Sequence, residues 1–218
     1  MRTILILICI SFYTVISSAQ SNLTLGLEVG MSRSNILTDH SMRIRKYVPA
    51  RNYGVSINYR FYRQLSIQGG LYFSEKGAAE SITYENNSPG VNQTSIHYSS
   101  EYLAMPLLFR YSTKGQVRFF ANTGIYLGYL LHYEMRQFTV NEPAEQIINL
   151  KEKTNSFDAG FTLGLGIQLV FPVIERLSLS LELRENLGLV PLENENYSGN
   201  VRSYNNSIGL QFGLAYNI

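Results

Sequence analysis

The chain has 218 residues, 45% of them hydrophobic, 12% aromatic and 16% charged, with a formal net charge of +2. Its 16 Tyr and 11 Phe, set among that much aliphatic surface, exclude disorder. The small net charge, without any basic stripe interleaved with aromatics, argues against nucleic acid as a partner. After the N-terminus no uncharged apolar run reaches the ~18 residues that a membrane-spanning helix needs, which excludes a helical bundle in the bilayer.

Residues 1–19 read as an export signal. Arg2 and the amino terminus supply positive charge, and residues 4–16 form an apolar stretch too short to span. Ser17, Ser18 and Ala19 provide the small residues of a cleavage site, with Gln20 as the new N-terminus. The single cysteine, Cys9, lies inside the apolar stretch and leaves with it. The mature chain, residues 20–218, is therefore expected to contain one barrel domain with neither disulfides nor thiolate metal ligands.

In chain order, eight segments alternate apolar with small or polar residues, at 23–32, 53–61, 65–74, 101–111, 117–133, 157–169, 177–184 and 207–218. The pattern is cleanest towards the C-terminus. There Leu177, Leu179, Leu181 and Leu183 interleave with Ser178, Ser180, Glu182 and Arg184. Strand side chains alternate between two faces, so each segment offers one apolar face and one small or polar face. The connections alternate too. Short turns fall at 62–64, 112–116 and 171–176, and long polar connections at 33–52, 75–100, 134–156 and 188–203. Short turns on one side and long loops on the other is the pattern of outer-membrane barrels.

The expected fold is all-β: a closed eight-stranded antiparallel up-and-down transmembrane β-barrel in the cell outer membrane. Closure follows because an open edge would strand N–H and C=O groups in hydrocarbon. Its surroundings are outer membrane lipids, with the long loops outside the cell. A soluble eight-stranded barrel would also alternate, but with Lys and Glu opposite its apolar face rather than the Gly, Ser, Thr and Ala found here.

Parity sends Leu163, Leu165, Leu179, Leu181, Leu210 and Phe212 to lipid, and Tyr129, Tyr133 and Tyr216 to the interfaces, in place of the absent Trp. Pro106 cannot donate a ladder hydrogen bond, so a bulge or local break is expected beside it. Inward, parity places Glu28, Arg60, Arg110, Arg118, Asp158, Glu182 and Arg184. Eight strands enclose little more than side chains. The expected lumen is thus a polar network of Glu28, Asp158, Glu182 and Arg184. Glu182 and Arg184 pair on one face, with Glu28 or Asp158 as further partners, because a lone buried arginine would be strongly destabilising.

Two sets carry hydrolase residue types: His97, Ser99 and Glu101, and His132 with Glu134. Such sets arise by chance on a serine-rich chain, no triad is specified by their spacing, and no catalytic residue is assigned. His40, His97 and His132 are too dispersed for a metal, and the glycines follow strand alternation rather than a phosphate loop, so neither metal nor cofactor is expected. The first long connection differs from the others in charge. It carries Arg33, Arg43, Arg45, Lys46 and Arg51 against Asp39 alone. At an outer rim, Arg43, Arg45 and Lys46 would sit beside lipopolysaccharide phosphates.

Three stretches resemble the outer-membrane barrel family of Bacteroidetes that includes the PorT-like proteins. They are Glu101-Tyr102-Leu103-Ala104-Met105-Pro106-Leu107-Leu108-Phe109-Arg110-Tyr111, Gly124-Ile125-Tyr126-Leu127-Gly128-Tyr129-Leu130-Leu131, and Phe157-Asp158-Ala159-Gly160 leading into Gly164-Leu165-Gly166. The resemblance spans essentially the whole mature chain, and its motifs are structural. Within that family the PorT branch is linked to type IX secretion and gliding, while most members have no assigned role. The expected function is that of a non-enzymatic envelope protein whose long loops contact lipopolysaccharide or envelope proteins. Association with secretion or gliding machinery is an implication of the resemblance alone. The alternatives are a lipid-acting barrel enzyme, such as a lipid A deacylase, and a small pore.

Overall fold

A computed structural model describes residues 22–38, 46–85, 91–139, 146–171, 176–194 and 202–218. The export signal, Arg43 and Arg45 lie outside the described residues. The strands are β1 (Leu23–Thr38), β2 (Val48–Tyr62), β3 (Leu65–Glu85), β4 (Val91–Ser112), β5 (Val117–Thr139), β6 (Gln146–Asn149), β7 (Phe157–Val170), β8 (Leu177–Gly188) and β9 (Ser203–Asn217). Every pairing is antiparallel. The sheet runs β4-β3-β2-β1-β9-β8-β7-β5, and a further β4–β5 pairing closes it into a ring of eight. The ninth strand, four-residue β6, hangs on β5 outside that ring. Turn chemistry fits the short connections: Gly115 takes φ 115 in the β4–β5 turn, a conformation that costs glycine little.

The outer face is apolar because every strand keeps its parity through the bilayer. Leu165 is 68% exposed, Leu163 50%, Leu181 50%, Leu210 53% and Phe212 48%. Leu179 shares their outward parity but is half-buried between its cross-strand neighbours Leu169 and Leu214. No outward-facing charge interrupts this belt among the described residues. On successive strands it ends above at Arg33, Arg51, Glu75, Glu101, His132 and Glu185. Aromatic rings mark both edges. Tyr53 stacks on Phe73 at 5.1 Å and Tyr129 meets Phe157 edge-on at 5.5 Å above, while Tyr59, Phe61, Tyr111 and Tyr216 ring the lower rim.

Three expectations need correction. The long connections are in large part strand: β3, β4 and β5 run for 21, 22 and 23 residues, well beyond the ~10 a tilted strand needs to cross. Above the bilayer a ladder no longer needs an apolar face, so the polar runs after Ser74 and before Glu101 keep pairing, from Glu75↔Glu101 to Glu85↔Val91. Tyr133 points inward rather than to the interface. The β4–β5 register shifts between Glu101 and Tyr102, leaving Leu131 without a partner on β4. That extra residue reverses the parity of β5 above it, and Tyr133 is buried against Tyr102 and Leu130. The third correction concerns the lumen and is given below. The break expected at Pro106 is present: β3–β4 pairing stops between Gly69↔Leu107 and Tyr72↔Ala104 and resumes in the same register.

Candidate functional site

The lumen is crossed by two ionic layers. In the lower one, Arg184 on β8 donates through Nη2 to Glu182 at 2.7 Å and to Glu28 at 3.1 Å, and through Nε to Glu182 at 3.2 Å. Gln68 donates to Glu28 at 2.8 Å and Asn122 to Glu182 at 2.9 Å. Arg110 donates to Asn122 at 2.8 Å, lies 3.9 Å from Glu182 and covers the Phe120 ring at 4.1 Å. Side chains from different sides of the barrel thus meet at two carboxylates. A glycine makes the room: a Cβ on Gly164 would overlap the Glu182 carboxylate. Each carboxylate is shared among several donors, the condition under which buried charge is tolerated.

The upper layer differs in composition. Lys76 on β3 donates to Asp158 on β7 at 2.7 Å and to the Tyr126 hydroxyl at 3.2 Å. Asn205 donates to Asp158 at 2.9 Å and to the Tyr102 hydroxyl at 3.2 Å, and Tyr126 donates to Asp158 at 3.3 Å. The Lys76 ammonium lies 4.3 Å from the Tyr126 ring centroid and 5.3 Å from that of Tyr102. This is the third correction. The structure brings Glu28, Glu182 and Arg184 together but places Asp158 with Lys76, a residue that the sequence reading assigned to a loop. Glu80, one inward position further along β3 than Ala78, is also buried and was missed for the same reason. Its only sequence signal is that Lys76 and Glu80 keep the even parity of Ser66, Gln68 and Ser74.

Below the lower layer the lumen opens at the short-turn end into a cavity of about 250 Å³. Arg60 and Arg118 face into it from inward positions on β2 and β5, and Arg63 and Lys114 join them from the turns.

The hydrolase-type residues lie elsewhere, on the outer wall above the apolar belt. Cross-strand pairing sets Glu101 opposite His132, Ser99 opposite Glu134 and His97 opposite Arg136. Glu134 bonds His132 at 3.2 Å and Arg136 at 2.6 Å. The His132 hydrogen bond and then the Arg136 guanidinium hold its carboxyl below the ordinary range. Among the described residues no hydrogen bond joins Ser99 to either histidine. Lys46, exposed at the top of the first loop, pairs with the β3 residue Ala79 through two backbone bonds of 2.7 and 3.1 Å.

A closed antiparallel ring with an uncharged lipid belt, aromatic edges and an ion-filled lumen defines an integral β-barrel protein of the outer membrane. Residues 18–194 match the family described as "Outer membrane protein beta-barrel domain", and the chain belongs to that family. No curated protein matches the chain. Among solved structures, Neisserial surface protein A has 12% identity and a TM-score of 0.47, with 90% of this chain and 97% of that one covered. A major outer membrane protein of Thermus thermophilus has 13% identity and a TM-score of 0.47, covering 90% and 99%. The outer membrane protease OmpT of Escherichia coli has 10% identity and a TM-score of 0.39, covering 91% and 97%. These likenesses concern the fold alone.

Proposed function

We propose that the protein is a non-enzymatic envelope barrel that acts through its extracellular surface, contacting lipopolysaccharide or envelope proteins. The observation that carries this reading is the contrast between a lumen filled by two ionic layers and a wall of three long strands rising above the bilayer. A filled lumen leaves little for conduction or for a ligand drawn through the barrel. Within the family, the proline-containing strand around Pro106 and the glycine-punctuated strand from Gly124 support a PorT-like Bacteroidetes member, and secretion or gliding machinery is then the first partner to test. The basic first loop supplies the lipid contact in this proposal, with Arg43, Arg45 and Lys46 binding lipopolysaccharide phosphates. Replacing all three with Gln should weaken lipopolysaccharide association while the barrel stays heat-modifiable on gels. Unchanged association in a folded barrel would remove the loop from the proposal, and stepwise single-channel currents in a planar bilayer would favour a pore instead.

A further inference from the structure

The charges of the lumen divide sharply by depth. In the lower layer Arg184 and Arg110 are matched by Glu28 and Glu182, and in the upper layer Lys76 is matched by Asp158. The periplasmic mouth shows no such matching. Arg60, Arg63, Lys114 and Arg118 surround one cavity, and among the described residues none of them has a carboxylate within ion-pair distance. Glu28, in the roof of the cavity, is already held by Arg184 and Gln68. Arg118 spends its Nε on the Gly115 carbonyl at 2.9 Å, and Arg60 lines the same cavity. Inward parity keeps Arg60 and Arg118 from snorkelling sideways to the bilayer surface, so the two guanidiniums are aimed at a shared space rather than spread along a rim.

From this we infer that the periplasmic mouth is a binding site for a phosphate-class oxyanion. Two guanidinium forks fit a tetrahedral oxyanion bidentately, and one anion between them would cancel their mutual repulsion. Lys114 and Arg63 add charge at the entrance. The remaining walls include Ser56, Asn58, Ser66 and Gln168, polar side chains suited to the oxygens of such a group. About 250 Å³ admits a phosphate monoester or a lipid headgroup and is too small for a folded segment. The two sources of that chemistry are a phospholipid of the periplasmic leaflet and a free phosphate.

The test uses the full mature chain refolded in zwitterionic micelles, titrated with inorganic phosphate and followed by 15N–1H spectra of the turn residues. In a second arm the same protein is placed in nanodiscs of phosphatidylcholine with or without phosphatidylglycerol. Saturable shifts at Lys114 and Gly115 in micelles assign a free phosphate, and shifts that need phosphatidylglycerol assign a headgroup. The double variant Arg60→Gln/Arg118→Gln should lose about tenfold or more in affinity, the variant Arg60→Lys/Arg118→Lys should fall between, and Arg136→Gln, at the far end, should bind as the parent does. Heat modifiability checks that each variant is folded. Equal binding by the folded Gln double variant, or no saturable shift in either arm, overturns the site.

Discussion

Arg184 and Arg118 both point into the lumen, yet their surroundings are opposite. Arg184 makes hydrogen bonds to two carboxylates, lies over the Tyr72 ring and is 4% exposed. Arg118 donates to one backbone carbonyl and shares its cavity with Arg60, Arg63 and Lys114. The comparison shows that an inward charge in a narrow barrel can be structural or uncommitted, and that depth decides which. Deep in the lumen the ionic side chains are buried away from bulk solvent, so the sequence must supply each one's partner. At the mouth water suffices, and a cation can be kept for a ligand.

The strongest way to break that contrast is Arg184→Met, which leaves Glu28 and Glu182 without their common partner. It should cost about 3–5 kcal/mol, read as a fall in the urea midpoint of folding in micelles, whereas Arg118→Gln should stay within about 0.5 kcal/mol of the parent. Equal effects of the two would mean the deep pair is not structural. Lys76→Met extends the comparison to the upper layer. Asp158 would keep its bonds from Asn205 and Tyr126, so the loss should be smaller, about 1–3 kcal/mol. Gly160→Ala tests packing rather than charge. A Cβ there would overlap the Leu187 carbonyl and the Tyr126 ring, lifting the tyrosine from Asp158 at a cost of about 1–3 kcal/mol, with the Tyr126 ring resonances moving in the NMR spectrum.

The smallest effect belongs to the outer wall. Glu134 has a lowered folded-state pKa, so its stabilising contribution is present above the ordinary value of about 4.3 and is lost as pH falls through the folded value. Arg136→Gln should raise its titration midpoint towards about 4.3 with little change in stability, because exposed pairs contribute under about 1 kcal/mol.

Much of this was legible in the sequence, for a simple reason. Within the bilayer each side chain must choose lipid or lumen, so the alternation around Leu181 and Leu210 fixes both faces of their strands, and the inward positions of Glu28, Asp158, Glu182 and Arg184 follow from parity alone. Above the bilayer that choice lapses. Polar residues occupy both faces of β3 and β4, period two fades, and Lys76 and Glu80 vanish into what reads as a loop. Partner choice was equally hidden: parity assigns a face, but it does not reveal that Asp158 lies at the height of Lys76 and not of Arg184. The bulge left a single trace, the consecutive aliphatics Leu130 and Leu131, which break the alternation just before Tyr133 turns inward.

That unpaired Leu131 sets the barrel's waterline. Directly beneath it β5 shows Leu127, Tyr129 and Leu131 to lipid, and directly above it His132, Glu134 and Arg136. Were the barrel to sink, this cluster would enter hydrocarbon, where a charge on the lipid face costs about 2–4 kcal/mol at the midplane. Were it to rise, the aliphatic stretch below would be wetted. One inserted residue therefore anchors this side of the barrel at a fixed draught, and in a thinner or thicker membrane it is the lipid around β4 and β5 that must stretch or compress to meet it.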